Sequence, residues 1–304
     1  ISLVINYSMV SLLTMFKIYL RPVVYVLFFI EIGLLLWLYR SALQTAIGAW
    51  IAHGLSEFRR LLADLVSRLS NLNHEPNQPE KALPRGIFLA LVAAAVILSA
   101  DALFWFFKLF IYNIGDVFRL WDAVVSWNPW ATQWANNFIP YSMLYPQLIP
   151  INWSLTYVFT GSTQVQLFAV SLMPLFPLLT LMMLFDLGVK LRSLGCFIGL
   201  IIARYMIKKF LGDFITDGYV DTALMFFAFA TVYCLFLGSE TADPVRRVQY
   251  SWLGGLFAAG AAVTKQGGLF LLAVYPLLAY FIILQDTPGY TRRAKWSMVG
   301  KFRL

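Results

Sequence analysis

Apolar runs long enough to cross a bilayer recur along this chain, separated by few charges. Residues 22–39 form one such run, closed by Arg40. A hydrocarbon core of about 30 Å takes roughly 20 apolar residues as a helix. Further runs lie at about 87–110, 165–185, 194–210, 219–238, 253–264 and 268–284. The chain is 60% hydrophobic and only 12% charged, whereas a soluble domain carries about 25% charged residues. These features predict an all-α, polytopic integral membrane protein.

The chain then divides into three parts. Residues 1–41 hold the N-terminal span or spans, with 1–16 open between a span and a membrane-surface helix. Glu31 interrupts the 22–39 run and needs a partner or a tilt toward the interface. Residues 42–86 read as a cytoplasmic amphipathic helix followed by a Pro-containing linker. That helix either lies on the membrane or packs on the protein's own cytoplasmic face. Residues 87–304 form the transmembrane core, with an outer loop at 111–164. The start at Ile1 and the stop after a basic stretch read as those of a fragment, with a truncated core. The apolar start lacks the cleavage site of a signal peptide.

Lys and Arg orient these spans. The clusters at 40–86, 190–192, 239–250 and 292–303 all fall on one side of the bilayer if that side is cytoplasmic. The Trp-rich segment 121–137, the loop 211–218 and the Lys265 turn then reach the outer face. Arg204, Lys208 and Lys209 resist this rule, because they land near the outer face too. The net charge of +8 reflects these loops rather than a nucleic-acid partner. Cys196 and Cys234 sit in apolar runs, against a disulfide framework, and His53 and His74 have no metal-ligand spacing.

Among the outer-face residues, Asp122 stands between Trp121 and Trp127. A carboxylate in low-dielectric surroundings can act as a general base. Asn128 and Pro129 predict the start of an in-plane helix carrying Trp130, Trp134 and Phe138 on one face. Its tryptophans read as an interfacial anchor. Asp116 competes with Asp122 or merely ends the preceding span, and Asp101 falls within or at the edge of that span. Asp213, Asp217 and Asp221 gather at the mouth of a later span, where Asp221 either caps the helix or serves a site. Lys265 lies in a Gly-containing turn, placed to snorkel or to meet a phosphate.

The stretches WDAVVSWNPWA, YPQLIP, DGYVDTALMFF and VTKQGGLFLLAVYP, taken in order, resemble bacterial membrane glycosyltransferases of the GT-C type. These include relatives of protein O-mannosyltransferases and lipid A aminoarabinose transferases. The resemblance covers about residues 87–285. It implies a GT-C type transmembrane core with interfacial helices in the first outer loop. It also implies a polyprenyl-phosphate sugar donor and transfer at the outer face of a bacterial inner membrane. By matching position, Asp122 is the catalytic acid of the first loop, and Tyr145, Pro146 and Gln147 belong to the element that shapes the site. Asp221 and Asp116 are secondary acids, and Lys265 stands near the donor phosphate with Arg204, Lys208 or Lys209 as supporting cations.

The chain departs from the pattern where many members have Asp-Glu and it has Asp122-Ala123. A divalent metal is left open and is not indicated, and no other cofactor is expected. The expected partners are membrane lipids, the lipid-linked sugar and a glycan, lipid or protein acceptor. The expected reaction is an inverting single displacement. A transporter or flippase of lipid-linked substrates would also carry outer cations and buried acids, although no internal repeat is evident. A non-catalytic scaffold would tolerate neutral replacement of Asp122 and Lys265.

Overall fold

The computed structural model describes residues 2–40, 44, 85–112, 116–142, 144–190 and 194–284. Among the described residues all regular structure is helical, as the apolar periodicity predicts, and no strand occurs. The expected amphipathic helix of 42–70 and the linker up to residue 84 lie outside the described residues, Gln44 excepted.

The chain opens with α1 (Ser2–Met15) and α2 (Arg21–Leu38), joined by a five-residue connection and started by Pro22 in the first turn of α2. Next comes α3 (Arg85–Tyr112), a 28-residue helix. The first-loop region folds into two helices, α4 (Asn128–Ala135) and α5 (Leu148–Thr160). Gly161, at φ +75°, ends α5 in the left-handed conformation that glycine adopts at least cost. Then α6 (Leu167–Leu172) and α7 (Leu175–Lys190) follow one another across Met173–Pro174. Helix α8 (Leu194–Met206) winds into a wider π turn at Ile207–Leu211. The last three are α9 (Asp221–Glu240), α10 (Pro244–Thr264) and α11 (Gly267–Ala279).

Among the described residues two stretches are long and apolar enough to cross a membrane, Leu167–Gly188 and Asp221–Glu240. Large apolar side chains also face outward from other helices, including Phe29 on α2 and Phe104 and Phe107 on α3.

The sequence places a basic loop at 239–250 and a short span at 253–264. Instead α10 begins at Pro244 and runs 21 residues. Asp243 is the reason: its carboxylate accepts from Val245 N at 2.9 Å, and Pro244 follows in the first turn. Arg246 and Arg247 are therefore helical. Arg247 Nε donates to the Thr241 carbonyl at 2.6 Å.

The main core lies where the first-loop helices meet α6, α7, α9 and α10. Trp127, Ile149, Trp153 and Tyr157 pack there against Met173, Phe176, Val220, Phe227 and Ala261. A second core joins α1, α2 and the first loop through Val10, Tyr19, Trp134 and Ile151. A third joins α3, α7 and α8 through Phe106, Leu181, Leu200 and Ile207. Thus α1 is not a free surface helix: Asn152 of α5 donates to the Leu3 carbonyl at 3.1 Å and accepts from Asn6 at 3.2 Å. Glu31 finds a partner in the Ser2 hydroxyl, 2.7 Å away. Between α1, α2 and α5 a cavity of about 670 Å³ opens, lined mainly by apolar side chains.

Candidate active site

The Trp-rich stretch does not start a helix at Asn128. It is already helical from Trp121, passing through a π turn at Ala123–Trp127 before α4. Asn128 is thus inside a continuous helical path and caps nothing. Its Oδ1 instead accepts from the Tyr157 hydroxyl at 2.5 Å, tying α4 to α5. The extra residue of a π turn shifts the helical faces. Trp127 and Trp134 are about 95% buried, while Trp121 stays 75% exposed. Trp127 and Trp134, read as part of an interfacial anchor, are therefore core residues. Phe138 does not continue their face, because the helix stops at Ala135 and Asn137 turns the chain with φ +62°. Lys17 Nζ lies 5.0 Å from the Phe138 ring centre.

Tyr145 comes back onto this helix, with Pro146 next to it in the chain. The Tyr145 ring meets Trp127 edge-on at 5.7 Å and lies 5.9 Å from Trp130. Gln147 is buried and works as a latch: Trp134 Nε1 donates to its Oε1 at 3.2 Å, and its Nε2 donates to the Tyr145 carbonyl at 3.0 Å. These bonds satisfy a buried indole and a buried amide together.

Asp122 itself is exposed, beside buried Ala123. Sequence reasoning expects it in low-dielectric surroundings; the helix leaves it exposed instead. Among the described residues its side chain has no ion pair or hydrogen bond.

Two candidates far apart in sequence meet directly. Lys265 Nζ donates to Asp221 Oδ1 at 2.6 Å, linking the end of α10 to the start of α9. Thr264, next to it, is buried and donates its hydroxyl to the Gly260 carbonyl at 2.7 Å, so the lysine alone of this pair faces out. The turn is held tightly. A Cβ on Gly268 would sit 2.0 Å from the Ala261 carbonyl oxygen, a position only glycine can occupy.

The segment before Asp221 joins this pair to the Trp helix. Gly218, at φ +92°, lies against Phe118 and Ala123, where an added Cβ would stand 2.7 Å and 2.8 Å from them. Val220 and Ala223 share the main core with Ala123. Asp122, Asp221 and Lys265 therefore stand on neighbouring segments.

The remaining candidates stand apart. Arg204 is buried, pairs with Asp101 and lies 5.2 Å from the centre of the Trp105 ring. This names the partner that sequence could not give Asp101, and it explains how a cation is tolerated within an apolar run. Arg204 adjoins the α3–α7–α8 core, and Lys208 and Lys209 are exposed on the π turn after α8. No described contact brings these three to Lys265. Asp116 accepts from Arg119 at 2.7 Å and from Val117 N, as a local loop-stabilising acid. Among the described residues no group of three His, Cys, Asp or Glu side chains could hold a metal ion.

Sequence reasoning missed Asn137. Its Oδ1 accepts from Tyr19 N at 3.0 Å and its Nδ2 donates to the Tyr19 carbonyl at 2.9 Å. Lys17 Nζ adds a bond of 2.5 Å to the Asn137 carbonyl. The α1–α2 connection is thereby clamped to the end of the Trp helix. The left-handed preference of Asn was the available signal. No family model matches the chain, and neither a curated protein nor a solved structure matches it.

Proposed function

We propose that the chain is a polytopic membrane glycosyltransferase of the GT-C type. In this reading it moves a sugar from a polyprenyl-phosphate donor to an acceptor at the outer face of a bacterial inner membrane. The observation that carries this reading is the packing of Gly218 on Ala123. It sets an exposed carboxylate, Asp122, on a segment adjoining the one that carries Asp221, the partner of Lys265. Two membrane-length apolar helices and outward Phe and Trp side chains support a bilayer setting.

In this mechanism the Asp122 carboxylate accepts a proton from the acceptor hydroxyl or amine. The freed lone pair attacks the anomeric carbon, and the sugar–phosphate C–O bond breaks with its electrons going to the phosphate. Lys265 stabilises the charge that develops there. Attack opposite the leaving group inverts the anomeric centre. A lipid phosphate is already a competent leaving group, so a nucleotide-binding domain is not required. Arg204, held by Asp101, and Lys208 stand apart from this pair and take no part in the step. The bonds of buried Gln147 to buried Trp134 and to the Tyr145 carbonyl hold the helix bearing Asp122 in place.

The test is reconstitution of the purified chain with a panel of polyprenyl-phosphate sugars and candidate acceptors, followed by mass analysis. A glycosylated product that depends on Asp122 is the expected result. Movement of the lipid-linked sugar across the bilayer without a covalent product would instead favour a flippase.

A further inference from the structure

We infer that Asp221 is a built-in competitor of the lipid phosphate for Lys265, and that this competition lets product leave. The inference rests on the transferase reading and assigns a positioning role, not a catalytic one.

The backbone under both residues is fixed. Lys265 N donates to the Ala261 carbonyl at 3.2 Å, and the Lys265 carbonyl accepts from Gly268 N at 2.8 Å. Asp221 sits in the first turn of α9, whose start packs into the main core through Val220 and Ala223. The side chains are not fixed. They are 35% and 49% exposed, and among the described residues only Oδ1 of Asp221 is engaged. An ion pair at such exposure contributes about 0–1 kcal/mol and opens readily. A doubly or singly charged phosphate offers more acceptor oxygens than the carboxylate and can displace it from the lysine.

Once displaced, Asp221 stays within a few ångströms of its former partner, because its helix does not move with it. It then repels the phosphate that took its place. A lysine without this acid would grip donor and product alike. With it, the phosphate bound after transfer has a ready replacement, and the lysine returns to the carboxylate. No atoms or electrons are exchanged in this step beyond the breaking and making of charge-assisted hydrogen bonds.

The experiment uses the full chain in lipid nanodiscs with farnesyl monophosphate as probe and farnesol as the uncharged control. Asp221→Asn is expected to bind farnesyl monophosphate about ten-fold more tightly than the wild type, as removal of one like charge at this range predicts. Asp221→Glu should restore the weaker binding, and Lys265→Gln should lose the preference for farnesyl monophosphate over farnesol. Binding to Asp221→Asn that is no tighter than to the wild type overturns the inference. So does a wild type that does not distinguish the two probes. Absence of glycosyl product with the ten-fold gain intact would sink the transferase reading and leave the competition standing. Product formation without the gain would do the reverse.

Discussion

Gly218 stands so close to Ala123 that a methyl group on it would lie 2.8 Å from the alanine Cβ. The contact joins the α8–α9 connection to the helix that carries Asp122, and it permits neither a side chain nor ordinary backbone angles. Gly218→Ala therefore meets two penalties, left-handed strain and overpacking. Together they predict a loss of about 2–4 kcal/mol. Gly33 is the control, since a Cβ there meets nothing within 4 Å. Gly33→Ala in the middle of α2 should be neutral or stabilise by up to about 1 kcal/mol. Thermal unfolding of the two variants in detergent measures the difference.

Asp122→Asn should separate function from stability. The side chain is exposed and, among the described residues, unpartnered, so its unfolding midpoint should match the wild type. Transfer from the lipid-linked sugar should fall by about 10²–10⁴, the usual contribution of a general base. Unimpaired transfer would remove Asp122 from the mechanism.

The Asp101–Arg204 pair is asymmetric, with the arginine side chain 9% exposed and the aspartate 54%. Removing the acid strands a buried cation; removing the cation leaves an acid at the surface of the helical body. Asp101→Asn should thus cost more than Arg204→Met. About 2 kcal/mol is expected for the former, less than a fully buried pair would lose because Asp101 lies half outside the protein. The double variant should recover part of that loss. A denaturation series on the three proteins, showing equal single costs, would contradict this account.

Tyr19 gives a pH prediction. Burial is the main cause that pushes its phenol well above the usual tyrosine range, with the Ser154 hydroxyl bond at 3.0 Å acting the other way. The unfolded tyrosine ionises near pH 10. Below that value both states are neutral, and the contribution of Tyr19 to stability is fully present. Above it the unfolded state loses the proton first, so stability falls as pH rises toward the folded value. Tyr19→Phe should flatten that alkaline decline, read as the slope of unfolding free energy between pH 9 and 11. It should also lower stability at neutral pH by about 1 kcal/mol through the lost hydrogen bond.

Periodicity and apolar length were enough to read the helical class, because they depend only on neighbours within a turn or two. The chemistry of single residues marked Asp221 and Lys265 as candidates. Their pairing joins positions 44 residues apart, and nothing local encodes it. The same holds for Arg204, whose awkward charge was plain and whose partner on α3 was not. The Asn128-Pro129 signal misled for a different reason. A cap residue must itself leave helical geometry, and Asn128 keeps it, with φ −71° and ψ −43°, because the π turn carries the helix through. Trp127 and Trp134 are two helical turns apart and share a face with Ala123 and Ala131; helical period groups these four, and only the tertiary packing decides that their face meets the core.

The clamp of Asn137 on Tyr19 has a temporal consequence. The two residues are 118 positions apart. A ribosome adding about 5–20 residues per second delivers the asparagine roughly 6–24 s after the tyrosine. Through that interval the Tyr19 amide and carbonyl have to find other partners, whether water or a helper protein. The N-terminal hairpin is thus made first and locked late. A nascent chain halted before Asn137 should expose the Lys17–Leu20 connection to protease, and one halted well beyond α5 should not.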